Sequence, residues 1–238
     1  MLQFHTTQWS AVLEAAHRSS AAGENALAGL CQRYWYPLYA YVRCQGTSPE
    51  DAQDLTQQFF VHLLSTNLLA AADRQRGRFR TFLLAALTNF LANERRRGAA
   101  LKRGGPQPTL SLDFQDGEQR YLREPAHEVT PERIFARRWA LTVLDRGMAR
   151  LRAEYEAAGK RPLFEALKSR LGPGDDDDQT PYGELGSSLG LSEGAVKVAV
   201  HRLRKRCREL IRDEIAATVE TPREIDEELR VLFSVLAV

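Results

Sequence analysis

Apolar residues recur along this chain at steps of three and four. Leu27, Leu30, Tyr34, Leu38 and Tyr41 form one series; Ala52, Leu55, Phe59 and Leu63 form a second; Val196, Ala199 or Val200, Leu203, Cys207 and Leu210 form a third. Such steps return to one face of an α-helix, whereas a half-buried strand needs alternation in twos. No run of alternating β-branched residues bounded by hairpin turns appears. The expected fold is all-α. At 238 residues the chain is long enough for one large domain or two small ones with cores of their own.

Two stretches interrupt the helical pattern. Residues 98–131 hold four of the ten prolines (Pro106, Pro108, Pro125, Pro131) with Gly98, Gly104, Gly105 and Gly117, and read as a linker, although Leu110, Leu112, Phe114 and Tyr121 are available to dock on a neighbour. Residues 171–181 contain Gly172, Pro173, Gly174, four consecutive aspartates (175–178) and Pro181, which no helix crosses. The expected division is two helical domains, 1–103 and 131–219, a linker at 104–130, and an acidic C-terminal amphipathic helix at 220–238. Adjacent aspartates in a Gly/Pro loop repel one another and read as solvated rather than metal-binding. Cys31, Cys44 and Cys207 lack the spacing of a zinc site or a disulfide framework, which fits a reducing cytosol. With no apolar run long enough to span a bilayer and no signal sequence, the expected location is cytoplasmic, without membrane insertion.

The net charge of +2 is an average over unlike segments. Residues 1–73 sum to −3, 74–103 to +8, 104–192 to −3, 193–212 to +5 and 213–238 to −5. Two basic blocks lie more than 80 residues apart. Each is basic enough for a phosphate-contacting surface, because neutralised phosphates release counterions and supply most sequence-independent affinity. The plain alternative is two solvated helix faces.

Three helical segments carry the functional candidates. Ser48-Pro49-Glu50-Asp51 opens a helix, with Ser as N-cap, Pro at the first position and acids in the first turn. Its buried stripe leaves Asp51, Asp54, Gln58 and Val61 on another face, either solvated or a dock for a basic partner. Residues 78–97 form a second helix with arginine-rich ends. There Arg78, Arg80, Asn89, Asn93, Arg95 and Arg96 stand among Phe79, Phe82 and Phe90, which serve either as stacking platforms for single-stranded bases or as core. The third is a helical pair. Thr180 and Pro181 start a short helix that buries Leu185 and Leu189 and stops at Gly190; Ser192 then caps a second helix bearing Lys197, His201, Arg202, Arg204, Lys205 and Arg208. A short helix, a glycine turn and a helix basic on its outer face match a helix-turn-helix that reads a major groove. An ordinary helical hairpin is the alternative.

Together these segments resemble a bacterial RNA polymerase sigma factor of the sigma-70 family, extracytoplasmic-function (ECF) type. Residues 24–103 resemble its region 2 and residues 131–215 its region 4. Asp51-Ala-Gln-Asp-Leu-Thr-Gln-Gln-Phe-Phe60 resembles the family's acidic helix, Arg78-Phe-Arg-Thr-Phe-Leu83 and Asn89 to Arg97 its promoter-melting stretch, and Ser192 to Arg204 its recognition helix. The resemblance implies that Asp51, Asp54, Gln58 and Val61 meet core RNA polymerase at the β′ clamp helices. It further implies a β flap contact, a minus 10 contact through Arg78 to Arg97, and a minus 35 contact through the recognition helix. It implies no cofactor and no enzymatic activity.

Departures from the family pattern bear on regulation. Gln53 and Gln58 replace usual glutamates, which weakens charge complementarity with the clamp. A phosphate on Thr56 of the same helix would add about −1.5 to −2 charge and restore it, so a Ser/Thr kinase stands beside an anti-sigma factor as a possible regulator; some branches of the family resemble this arrangement. Against it, Thr56 reads as a plain helix residue. Residues 139–180 are longer than the compact family form needs. The tail, with Thr221-Pro222 as cap and Ile225, Leu229, Leu232, Phe233 and Leu236 as its stripe, either packs on region 4 or shields the recognition helix. A stand-alone helix-turn-helix regulator remains the alternative, although it leaves the helix at Ser48 and the second basic block without a purpose.

Overall fold

A computed structural model describes residues 21–66, 78–98, 114–123, 130–172, 180–219 and 221–237. Among these residues every regular element is helical: α1 (Ala21–Arg43), α2 (Pro49–Ser65), α3 (Phe79–Gly98), α4 (Phe114–Arg123), α5 (Pro131–Ala157), α6 (Arg161–Leu167) followed by a 3-10 turn (Lys168–Leu171), α7 (Tyr182–Leu189), α8 (Glu193–Ala216) and α9 (Pro222–Leu236). None of the described helices is long and apolar enough to cross a membrane. Contacts divide the chain into two compact units, Met1–Thr142 with Ile215–Val238, and Val143–Glu214. Both divisions fall inside helices, α5 and α8, and not at the Gly/Pro breaks. Glycine and proline mark where a helix stops, which is a different matter from where a core stops. The aspartate run 175–178, Leu110, Leu112 and the basic residues 74, 76, 102 and 103 lie outside the described residues.

In the first unit α1 packs on α2 and α4, and α2 packs on α3. Ser48 caps α2 as its sequence requires: its hydroxyl oxygen accepts from the Asp51 N–H at 3.1 Å, and Pro49 occupies the first helical position. The inward stripe of α2 is Ala52, Thr56, Phe59, Phe60 and Leu63, all fully buried, while Leu55 shifts to the half-buried margin. Tyr34, Tyr36, Leu38 and Tyr39 of α1 are buried as well, so these three tyrosines are core residues. Phe79 meets Tyr34 edge-on at 5.4 Å and Phe90 meets Phe59 at 5.7 Å. Phe79 and Phe90 are thus core residues. Phe82 remains half-buried.

Part of the expected linker is a helix. Within α4, Glu118 accepts from Arg43 Nε and Nη2 at 2.9 and 2.8 Å and from the Tyr39 hydroxyl at 2.5 Å. The absent side chain of Gly117 admits the Trp35 ring, which would lie 2.7 Å from a β-carbon there. Composition hid this helix because its docking depends on α1, far away in sequence.

The tail helix α9 belongs to the first unit. Thr221 and Glu224 form a reciprocal capping box, and Pro222 takes the first position. Of the stripe read from sequence, Leu232 is fully buried, whereas Phe233 is 64% exposed and Glu228 takes an inward place at 2% exposure. An inward glutamate needs partners, and it has them in Arg78 and Arg80.

The second unit is built on Leu151, Phe164, Leu167, Val196, Val200, Leu203, Cys207 and Leu210. Its buried Glu214 receives Arg146 and Arg150, each at 2.9 Å. The helical pair starts one residue later than its sequence suggests: α7 has Pro181 rather than Thr180 at the N-cap, and no side-chain cap bond. Thr180 serves through its carbonyl instead, which accepts from the Arg170 guanidinium.

Candidate nucleic-acid and partner-binding surfaces

The outer face of α2 and the C-terminal half of α3 enclose a groove of about 430 Å³ lined by Asp51, Asp54, Leu55, Gln58, Glu94 and Arg95, among others. A second hollow of about 220 Å³ is lined by Gln58, Val61, His62, Phe90 and Glu94. All four residues singled out on α2 therefore border one pair of concavities that share Gln58 and Glu94. Glu94 is the addition. In the sequence it stands as a lone acid within a basic block, yet on α3 it supplies a further carboxylate to the groove of Asp51 and Asp54. Arg95 bonds Gln45 at 2.6 Å across the groove wall, and Arg97 pairs with Glu94 at 2.9 Å.

The two ends of α3 differ in state. Asn89, Asn93, Arg95 and Arg96 are exposed at the C-terminal end. At the other end Arg78 and Arg80 are held by the acids of α9, and the Arg80 guanidinium also lies 4.8 Å above the Trp139 ring. Tyr34, buried below, has its hydroxyl pushed up to about 12, first by desolvation.

In the second unit α7 and α8 are joined by Gly190, Leu191 and Ser192. Gly190 adopts φ +67°, and the Leu191 N–H returns to the Gly186 carbonyl at 2.8 Å, which satisfies the end of α7. The Ser192 hydroxyl oxygen accepts from the Ala195 N–H at 3.2 Å and caps α8. Val196, Val200, Leu203, Cys207 and Leu210 point inward, as their spacing predicts. Lys197, His201, Arg202, Lys205 and Arg208 are exposed along the other side.

Arg204 departs from the rest of that group. It is half-buried and its Nε donates to the Arg170 carbonyl at 2.8 Å. Arg170 is itself 2% exposed and stacks 4.5 Å over the Tyr182 ring. This arginine, passed over in the sequence, ties the 3-10 turn to the start of α7 and to α8. Lys197 approaches the same ring at 5.8 Å and pairs with Glu193 at 2.6 Å, which raises its pKa. Arg206, one turn beyond Arg202, binds Glu154 and Glu209.

Thr56 is fully buried, and its hydroxyl donates to the Ala52 carbonyl at 2.7 Å. A kinase needs an accessible hydroxyl, so the helix would have to open before Thr56 accepted a phosphate. Among the described residues no three His, Cys, Asp or Glu side chains group as metal ligands.

Compared with known proteins, the chain is 28% identical over 174 residues to the ECF RNA polymerase sigma factor SigE of Mycolicibacterium smegmatis, a match covering 72% of this chain and 56% of that relative. No family model matches the chain. No solved structure matches it either.

Proposed function

We propose that this chain is a sigma factor that binds core RNA polymerase in the cytoplasm and directs promoter recognition and transcription initiation. The observation that carries the reading is the exposed basic row of α8, set behind a tight glycine turn and backed by a packed apolar stripe. A helix presented in this way suits the major groove, where side chains at successive turns reach base edges and phosphates. The acid-lined groove between α2 and α3 suits the basic surface of a polymerase clamp, and the exposed Asn89, Asn93, Arg95 and Arg96 suit a melted minus 10 strand. In this reading residues 24–103 act as region 2 and residues 131–215 as region 4. The similarity to a protein described as a sigma factor supports it. Thr56 has no part in the proposal, because of its burial.

The test is reconstitution. Full-length chain mixed with core RNA polymerase should co-elute with it and give run-off transcripts from a subset of genomic fragments of the source organism. Failure to associate with core, with duplex binding by a dimer of the free chain, would establish the stand-alone regulator instead.

A further inference from the structure

The acids of α9 sit on the arginines that the minus 10 reading requires. Glu228 Oε1 lies 3.0 Å from Arg78 Nε, and its carboxylate also receives Arg80 Nε and Nη2 at 3.2 and 3.3 Å. Glu227 takes Arg78 Nη2 at 3.1 Å. The cluster has a dry centre and a wet rim: the side chain of Glu228 is 2% exposed and that of Arg80 14%, against 29% for Arg78 and 31% for Glu227. A carboxylate offers a guanidinium two oxygens in a plane, and a phosphodiester offers its two non-bridging oxygens in nearly the same way. The occupant and the proposed ligand are chemical stand-ins for one another.

The anchorage of α9 is uneven. Leu232 is its fully buried apolar residue, Ile225, Leu229 and Leu236 are half-buried, and Phe233 faces solvent. Much of the docking therefore rests on the ion cluster, which a competing anion weakens directly. Arg80 would stay in place after the helix left, because Trp139 holds its guanidinium by stacking.

We propose that α9 and the backbone phosphates of single-stranded promoter DNA compete for Arg78 and Arg80, so that the tail closes this end of α3 until DNA displaces it. The proposal rests on the reading of α3 as a promoter-melting helix. It redirects the shielding role considered for the tail from the recognition helix to α3.

The test measures binding of the full-length chain to a fluorescein-labelled single strand of about 20 nucleotides and mixed sequence. Glu227→Gln/Glu228→Gln should bind about tenfold tighter than wild type. Glu132→Gln/Glu184→Gln, which makes the same change of net charge outside α9, should gain less than about threefold. Adding Arg78→Ala to the first variant should abolish its gain. Because the loss of Glu228 also risks the fold, the wild-type chain supplies an independent measurement: saturating oligonucleotide should accelerate amide exchange across residues 222–236. Equal binding by the cluster variant and the charge control overturns the competition, as does unchanged exchange at saturation. If no form binds the strand and wild type opens no promoter with polymerase, the DNA reading of α3 itself fails, an outcome distinct from tight binding that ignores α9.

Discussion

The carbonyl oxygen of Leu191 stands 2.6 Å from the place a β-carbon on Gly186 would occupy. That approach is what lets the Leu191 N–H close back on the Gly186 carbonyl, so the turn between α7 and α8 has room for hydrogen alone at position 186. Gly186→Ala should destabilise the second unit by about 2–3 kcal/mol, the upper part of the range for forcing an atom into a packed site. Gly190→Ala meets no neighbour but must hold φ +67°, at a cost of about 1–2 kcal/mol. Gly194→Ala has open space and a helical backbone, and should be neutral or stabilise by up to about 1 kcal/mol. Urea unfolding followed by circular dichroism checks the order, and an unperturbed Gly186→Ala would remove the close approach as a determinant of the turn.

Arg204 and Lys205 are neighbours in sequence with opposite assignments. Arg204 Nε donates to the Arg170 carbonyl, whereas Lys205 projects to solvent. If α8 enters DNA, Lys205→Ala should lower the slope of log K against log salt by about 1, the signature of one lost phosphate contact. Arg204→Ala should leave that slope unchanged while lowering stability by about 1–3 kcal/mol, since a charge-assisted bond to a carbonyl is lost. Promoter binding by the reconstituted holoenzyme across a salt series separates the two. A reduced slope for Arg204→Ala would return this residue to the DNA-facing row.

What could be read before folding was local. Ser48 with Pro49, and Thr221 with Pro222, announce helix starts because cap chemistry involves residues three apart, and both caps form as written. The inward residues of α8 follow from their period alone. Positions whose setting the sequence does not announce depend on partners far away in the chain. Glu228 and Glu214 look like surface acids until Arg78, Arg80, Arg146 and Arg150 are brought to them. Arg78, Arg80 and Arg204 look like free cations for the same reason, and residues 114–123 look like linker because Trp35, Tyr39 and Arg43 supply their docking. On the candidate surfaces, the acidic face of α2 was legible in its residue types, but the contribution of Glu94 needed the packing of α3 beside it.

The attachment of α4 to α1 should be acid-labile. Bonding to Arg43 holds the Glu118 carboxyl below its ordinary range, and the Tyr39 hydroxyl beside it is pushed up by burial and by this carboxylate. A folded-state pKa below the unfolded value means that the stabilisation is present above the unfolded carboxylate pKa of about 4.3 and is lost as the pH falls through the folded one. Docking of α4 should therefore loosen as the pH falls below the ordinary carboxylate range. Trp35 packs where Gly117 leaves room and reports the change: its emission should shift on acidification in wild type. Glu118→Gln should show a weaker contact at neutral pH and no such acid transition. The same transition in both proteins would place the titrating group elsewhere.

Substitution at Thr56 separates a structural from a regulatory role for this hydroxyl. Its place in the stripe with Ala52, Phe59, Phe60 and Leu63 is dry, and its one described bond runs to Ala52. Thr56→Ala removes that bond and a methyl group, a loss of about 1–2 kcal/mol. Thr56→Glu asks for a carboxylate among phenylalanines, and should cost at least about 3 kcal/mol or turn the side chain outward by unwinding α2. If α2 docks on core polymerase as proposed, neither variant should bind it more tightly than wild type, and Thr56→Glu should bind less well because Asp51, Asp54 and Gln58 share its helix. Thermal unfolding and a polymerase pull-down measure both quantities. Tighter binding by Thr56→Glu with an intact melting transition would show that α2 exposes this position in solution, and would restore it as a site of phosphorylation.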